Sequence, residues 1–135
     1  MELNDEFVSL ETAKLLKLKG FDVPIYTACH QVFKDKDEVS IWYGDRKENF
    51  NDLPEEENSQ KFYSCPTQQM AMRWLREKHK IHINVRYLDF LEHGEVWDAT
   101  VVIMSNFNEQ VIENTESTYE QALEFALQYV LKNLI

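Results

Sequence analysis

Cys65–Val85 reads CPTQQMAMRWLREKHKIHINV, and a helical pattern passes into a strand pattern inside it with almost no connector. Pro66 has no N–H to leave unpaired and its fixed φ suits a first helical turn, so a helix is predicted to open here, with Ser64 or Thr67 capping the free amides. At about 100° per residue, Met70, Ala71, Trp74, Leu75 and the stem of Lys78 share one side. Arg73, Arg76 and Lys80 share the other, a small basic ridge beside Glu77. From Ile81 the period drops to two. Ile81, Ile83, Val85 and Tyr87 alternate with His82, Asn84, Arg86 and Leu88, the pattern of a half-buried antiparallel strand.

Downstream, LEHGE is a turn centred on His93 and Gly94, and Val96–Met104 is a second strand with Trp97, Ala99, Val101 and Ile103 on one side. SNFN is another turn and Glu109–Glu113 a third strand. Ser117-Thr118-Tyr119-Glu120 forms a capping box ahead of a last helix whose buried stripe is Ala122, Leu123, Ala126, Leu127, Val130 and Leu134. Upstream, Ser9 caps a helix over Leu10–Lys19 that Gly20 ends, with Phe21 placed for the apolar contact of a Schellman motif. Ile25–Phe33 and Val39–Tyr43 read as two strands around KDKDE. Residues 44–61 are charged, poor in apolar side chains and contain Pro54, so a flexible acidic surface loop is expected there.

The expected fold class is therefore α+β. A two-layer single domain over 1–135 would hold an N-terminal helix and hairpin (9–43), the loop, and an αβββα core (66–135). Its antiparallel sheet of three to five strands would carry helices on the face of Ile83, Val85, Trp97, Val101 and Ile103. The opposite face, with His82, Asn84, Arg86, Asp98 and Thr100, would be polar. A chain of 135 residues can bury roughly two thirds of its unfolded surface without a disulfide or metal.

Composition narrows the partners. The net charge is −10, with 8 basic against 14 acidic residues in 1–65 (net −6) and 6 against 10 in 66–135 (net −4). Neither half has the basic footprint from which most nucleic-acid affinity comes, so nucleic acid is not the expected partner. Cys29 and Cys65, without a CxxC or an apolar leader, are expected as reduced thiols in a cytoplasmic protein. No run of about 18 apolar residues exists to span a membrane.

From Pro66 to Leu134 the order helix, strand, strand, strand, helix resembles the double-stranded-RNA-binding domain. The proline at the first helix and His93 in the loop between the first two strands also fit that family. The family grips phosphate with a lysine cluster at the start of its last helix. This chain has Thr118-Tyr119-Glu120-Gln121-Ala122 there, sharing only the alanine, so the resemblance implies topology more than activity. The pieces SLETAKLLKLKGF, CPTQQMAMRWLREKHKIHI and TYEQALEFALQYVLKNLI resemble a family of short bacterial proteins found also in phages and mobile elements. That family has no assigned activity, and the resemblance implies an origin of that kind.

No motif for catalysis, nucleotide or cofactor binding stands out, and the expectation is a non-enzymatic accessory protein that binds another protein. Met72 and Phe125 fall off the apolar stripes of their helices and mark the expected interaction surface, the alternative being packing against the N-terminal elements. Arg73, Arg76 and Lys80 are a solvated helix face or an anion-binding ridge, and the αβββα order keeps a nucleic-acid module as the alternative function. A DNA mimic, in which the negative charge imitates phosphate, is a further alternative. His79 and His82, with His93 or Cys65, are surface histidines or a metal site; no ligand spacing supports the second. Cys29 and His30 are adjacent in a strand and so point to opposite faces, which separates a nucleophile from its base. The tracts Asp35–Glu38 and Glu55–Glu57 lack the spaced oxygens and glycine of a calcium loop. Trp42, Tyr43, Trp74 and Trp97 are read as core rather than as a stacking platform.

Overall fold

The computed structural model describes residues 6–33, 36–53, 62–90 and 94–135. They divide into two compact units, Met1–Thr67 and Gln68–Ile135. The class is α+β, built from helices and two antiparallel three-stranded sheets.

In the first unit α1 spans Leu10–Leu18. Ser9 Oγ accepts from Thr12 N at 3.2 Å, and Phe21 N donates back to Leu16 O at 2.9 Å across Gly20, whose φ is +89°. This is the expected Schellman geometry, which a side chain at position 20 would strain. Phe21 is buried behind it. The strands β1 (Ile25–Phe33), β2 (Lys36–Glu48) and β3 (Phe62–Ser64) pair in the order β2-β1-β3. Together with α1 they bury Leu16, Ala28, Cys29 and Cys65.

The loop expected over 44–61 is corrected over its first ten residues. β2 runs on to Glu48 and a single 3-10 turn, Phe50–Asp52, follows it. Phe50 is the reason: one large apolar side chain among charges is buried edge-on to Trp42, 5.7 Å between ring centroids. Asn51 holds the turn in place by donating Nδ2 to Phe21 O at 2.9 Å and accepting Ser64 N on Oδ1 at 3.0 Å. Residues 54–61 lie outside the described ones.

The second unit runs α2 (Gln68–Lys78), β4 (Ile81–Phe90), β5 (Gly94–Ile103), β6 (Asn108–Glu116), α3 (Tyr119–Asn133), the predicted αβββα order. Its sheet is the meander β4-β5-β6, so β1 and β2 belong to a separate sheet. In register, Ile81 faces Ile103, Ile83 faces Val101, and Ala99 faces Ile112. This puts Ile81, Ile83, Ala99, Val101 and Ile112 on the face covered by both helices, whose Ala71, Leu75, Leu123 and Leu127 are fully buried.

Several side chains are placed differently from expectation. Met72, not Met70, joins the buried stripe of α2, together with Gln68, because the face centres on Ala71 and Leu75. Ser64 ends β3, and its Oγ has no hydrogen-bond partner among the described residues, so it does not cap α2. Thr118 caps α3 by accepting Gln121 N at 3.1 Å, and Leu131 takes the buried place expected of Leu134. The polar face of the second sheet is not open at its centre. Asp98 and Thr100 are only 6% and 1% exposed, on the central strand between Arg86 and Asn84 of β4 and Val111 of β6. Asp98 is matched there by a two-pronged pair with Arg86, Nε–Oδ1 2.8 Å and Nη2–Oδ2 2.6 Å.

Phe50→Ala should lower the unfolding free energy by about 3–5 kcal/mol in urea titrations followed by circular dichroism, as for a buried core aromatic. Asp45→Ala, on the exposed part of β2, should change it by less than about 0.5 kcal/mol.

Candidate interaction surface

The ridge on α2 is partly neutralised by its own helix. Arg73 Nε lies 2.9 Å from Glu77 Oε1 one turn on, with both side chains more than half exposed. The hydrogen bond from Arg73, and then its charge, hold the Glu77 carboxyl below the usual range, with Arg76 and Lys80 adding to the effect. Arg73 is raised in return. Lys80 Nζ donates to Glu77 O at 3.1 Å, closing the C-terminal end of the helix, where a cation complements the dipole. Arg76 is half-buried.

The expected pairing of Met72 with Phe125 as one exposed surface is not what the fold presents. Met72 is 9% exposed and belongs to the buried side of α2, whereas Phe125 on α3 is 41% exposed. The tryptophans divide likewise. Trp74 is buried, Trp97 half-buried, and Trp42 and Tyr43 are open to solvent, contrary to the core position expected for those two.

His79 follows α2 with its ring edge-on to Trp74, 4.8 Å between centroids. Its Nε2 is buried without a hydrogen-bond partner among the described residues. Burial, and secondarily the charge of Lys78, hold its pKa below the ordinary histidine value. His82 is half-buried on β4, His93 lies outside the described residues, and Cys65 is in the other unit, its Sγ donating to Val8 O at 3.5 Å. Among the described residues no three His, Cys, Asp or Glu side chains gather closely enough to hold a metal ion. Cys29 is buried on one face of β1, and His30 on the other stacks on Phe62 at 4.7 Å. Asp35 and the tract Glu55–Glu57 lie outside the described residues.

The feature sequence reading missed is at the β5–β6 turn. Ile103 pairs with Asn108, leaving Met104, Ser105, Asn106 and Phe107 to reverse the chain. Asn106 Oδ1 accepts Asn108 N at 3.0 Å. Phe107 has φ +55° and is 89% exposed, and Met104 is 42% exposed. Lys80, with φ +57°, is the second non-glycine residue in the left-handed region among those described. Its carbonyl accepts Met104 N at 2.9 Å, so the two strained positions sit at the same end of the unit. Asn or Gly normally fills such positions. The available signal was a lone aromatic in a turn otherwise made of Ser and Asn, but its exposure could not be read from the pattern.

No protein-family model, curated protein or solved structure matches the chain. The surface must therefore be judged on its own chemistry.

That end of the unit is also basic. Arg76, Lys78 and Lys80 lie along the last turn of α2 and the joint. The C-terminal half of α3, with Lys132, is brought to the first residues of β6 by Tyr129 OH and Gln110 Oε1 at 3.4 Å. At the far end Gln68 Nε2 donates to Glu120 O and Glu124 Oε2. There Tyr87, Trp97 and Tyr119 form a row of edge-on rings at 5.1 and 5.6 Å, flanked by Glu95 and Glu116. Such a division of charge gives the unit a positive tip and a negative base.

Because the folded state disfavours protonation of His79, the unfolded chain takes up the proton first as pH falls below the ordinary value of 6.5. Stability contributed by the neutral ring is thus intact above that value, is lost as pH falls toward the lower folded pKa, and declines no further below it. His79→Gln should flatten part of the stability loss that sets in as pH falls below 6.5, read from urea midpoints. Identical slopes for both proteins would remove this account of His79.

Proposed function

We propose that the chain is a non-enzymatic binding protein that docks another protein through the tip of its C-terminal unit, the α2–β4 joint and the β5–β6 turn. The observation that carries this reading is Phe107, held in a left-handed backbone with its ring 89% exposed. An αL residue other than glycine costs about 1–2 kcal/mol, and the exposed ring returns nothing to the core. Local strain of this kind concentrates where a side chain has to be presented. Exposed Met104 beside it extends the apolar contact. The resemblance to short phage and mobile-element proteins fits an accessory role of this type. The opposed faces of Cys29 and His30 leave that pair unsuited to nucleophilic catalysis.

A nucleic-acid module is the second reading, favoured by the αβββα order and the cations of the joint. The Arg73–Glu77 bond and the overall charge of −10 weigh against it. The two separate in one experiment: affinity capture from lysate of the producing organism, with and without nuclease, using wild type, Phe107→Gly, and the triple variant Arg73→Ala/Arg76→Ala/Lys80→Ala. The expected result is a protein partner that survives nuclease and is lost with Phe107→Gly. Phe107→Gly should at the same time raise unfolding free energy by about 0.5–1 kcal/mol, the relieved strain less the entropy glycine adds to the unfolded chain. Nuclease-sensitive capture lost only in the triple variant would favour the second reading, and capture indifferent to Phe107 would remove the first.

A further inference from the structure

From the charge around this tip we infer the chemistry of its partner: a protein segment that presents carboxylates around an apolar side chain or socket. The inference rests on the docking reading above. Of the six basic residues in Gln68–Ile135, Arg76, Lys78 and Lys80 lie on the last turn of α2 or at the joint, Arg73, bonded to Glu77, at the middle of α2, and Lys132, which also has a partner, on the last turn of α3. The sixth, Arg86, is taken up by Asp98. On the acidic side, among the described residues, Glu77, bonded to Arg73, and Glu109, one residue into β6, share this region. The acidic residues of α3, Glu120 and Glu124, are at the opposite end with Glu95 and Glu116.

A unit whose sequence carries more acids than bases thus has a local excess of cations at the end that carries exposed Met104 and Phe107. Lysines at a helix end are ordinarily explained by the dipole alone. That explanation accounts for Lys78 and Lys132 but not for an exposed aromatic in the turn that Lys80 bonds. Exposed apolar side chains at a cationic end complement an apolar site rimmed by carboxylates, and the matching potentials would steer the encounter. A nucleic acid fits less well. Its binding draws on many phosphate contacts at once, whereas this end has Arg73 bonded to Glu77, carries Glu109 and belongs to a chain of charge −10.

The test uses the full chain, immobilised, against a phage-displayed library of random 12-residue peptides, followed by fluorescence polarisation of the enriched sequences. Peptides that depend on Phe107 should carry an excess of Asp and Glu around Leu, Ile, Phe or Trp. Their binding should weaken about tenfold or more in Phe107→Gly and again in Lys78→Glu/Lys80→Glu, as for lost close charge pairs. It should also fall several-fold as salt is raised, through screening. Lys78→Glu/Lys132→Glu repeats the charge test without touching the left-handed backbone of Lys80, and thermal melts confirm that each variant is folded. Phe107-dependent peptides without acidic excess, or binding that both charge variants leave unchanged, would overturn the inference and leave the docking reading standing. Enrichment with no dependence on Phe107 would overturn both. Tight binding of a fluorescent RNA duplex, lost in the charge variants, would overturn both in favour of nucleic acid.

Discussion

The C-terminal unit depends on a single backbone reversal. α2 makes its last helical hydrogen bond from His79 N to Leu75 O at 3.0 Å, and two residues later, at Ile81, the chain is already a strand. Lys80 makes this possible by taking a left-handed conformation. Its ammonium closes the helix on Glu77 O while its carbonyl accepts Met104 N. That last bond aligns β4 on β5 so that Ile81 meets Ile103 and Ile83 meets Val101. A slip of one residue would carry every one of these side chains to the wrong face of the sheet. The sheet then receives Leu75 from α2 and Leu123 and Leu127 from α3 on a single apolar surface.

The same reversal creates the surface. Because the helix ends where the strand begins, the lysines that suit a helix terminus are delivered beside the β5–β6 turn, and the turn itself projects Met104 and Phe107. Apolar side chains and cations are brought to one end by the topology. At the far end the N-termini of both helices favour acidic neighbours for the converse reason. The row Tyr87, Trp97 and Tyr119 packs there against them.

Much of this architecture was legible in the sequence because it rests on periodicity. The passage from a helical repeat to alternation at Ile81, the cap at Ser9, the glycine at position 20 and the αβββα order all follow from local pattern. Three things did not. Phe50 reads as one apolar residue in a charged stretch, and only the long-range bonds of Asn51 to Phe21 and Ser64 convert it into core. The choice between Met70 and Met72 turns on a small rotation of α2 that its neighbours decide. Of the surface, the cations Arg73, Arg76 and Lys80 were visible as a ridge. The bond between Arg73 and Glu77 was foreseeable at i, i+4 spacing, but the positive φ of Phe107 and Lys80 was not, since both occupy positions that glycine or asparagine would normally signal.

The two strand orders differ in how far along the chain each pairing must reach. In β4-β5-β6 every partner is the next strand in sequence, beginning within five residues of the last. In β2-β1-β3 the last strand returns to β1, pairing Phe62 with His30, and must first close a loop of about 30 residues, at an entropic cost that grows with the logarithm of its length. Low contact order goes with rapid folding. The sheet of the C-terminal unit can therefore form between segments as each follows the last, whereas the sheet of the N-terminal unit waits on β3 for completion.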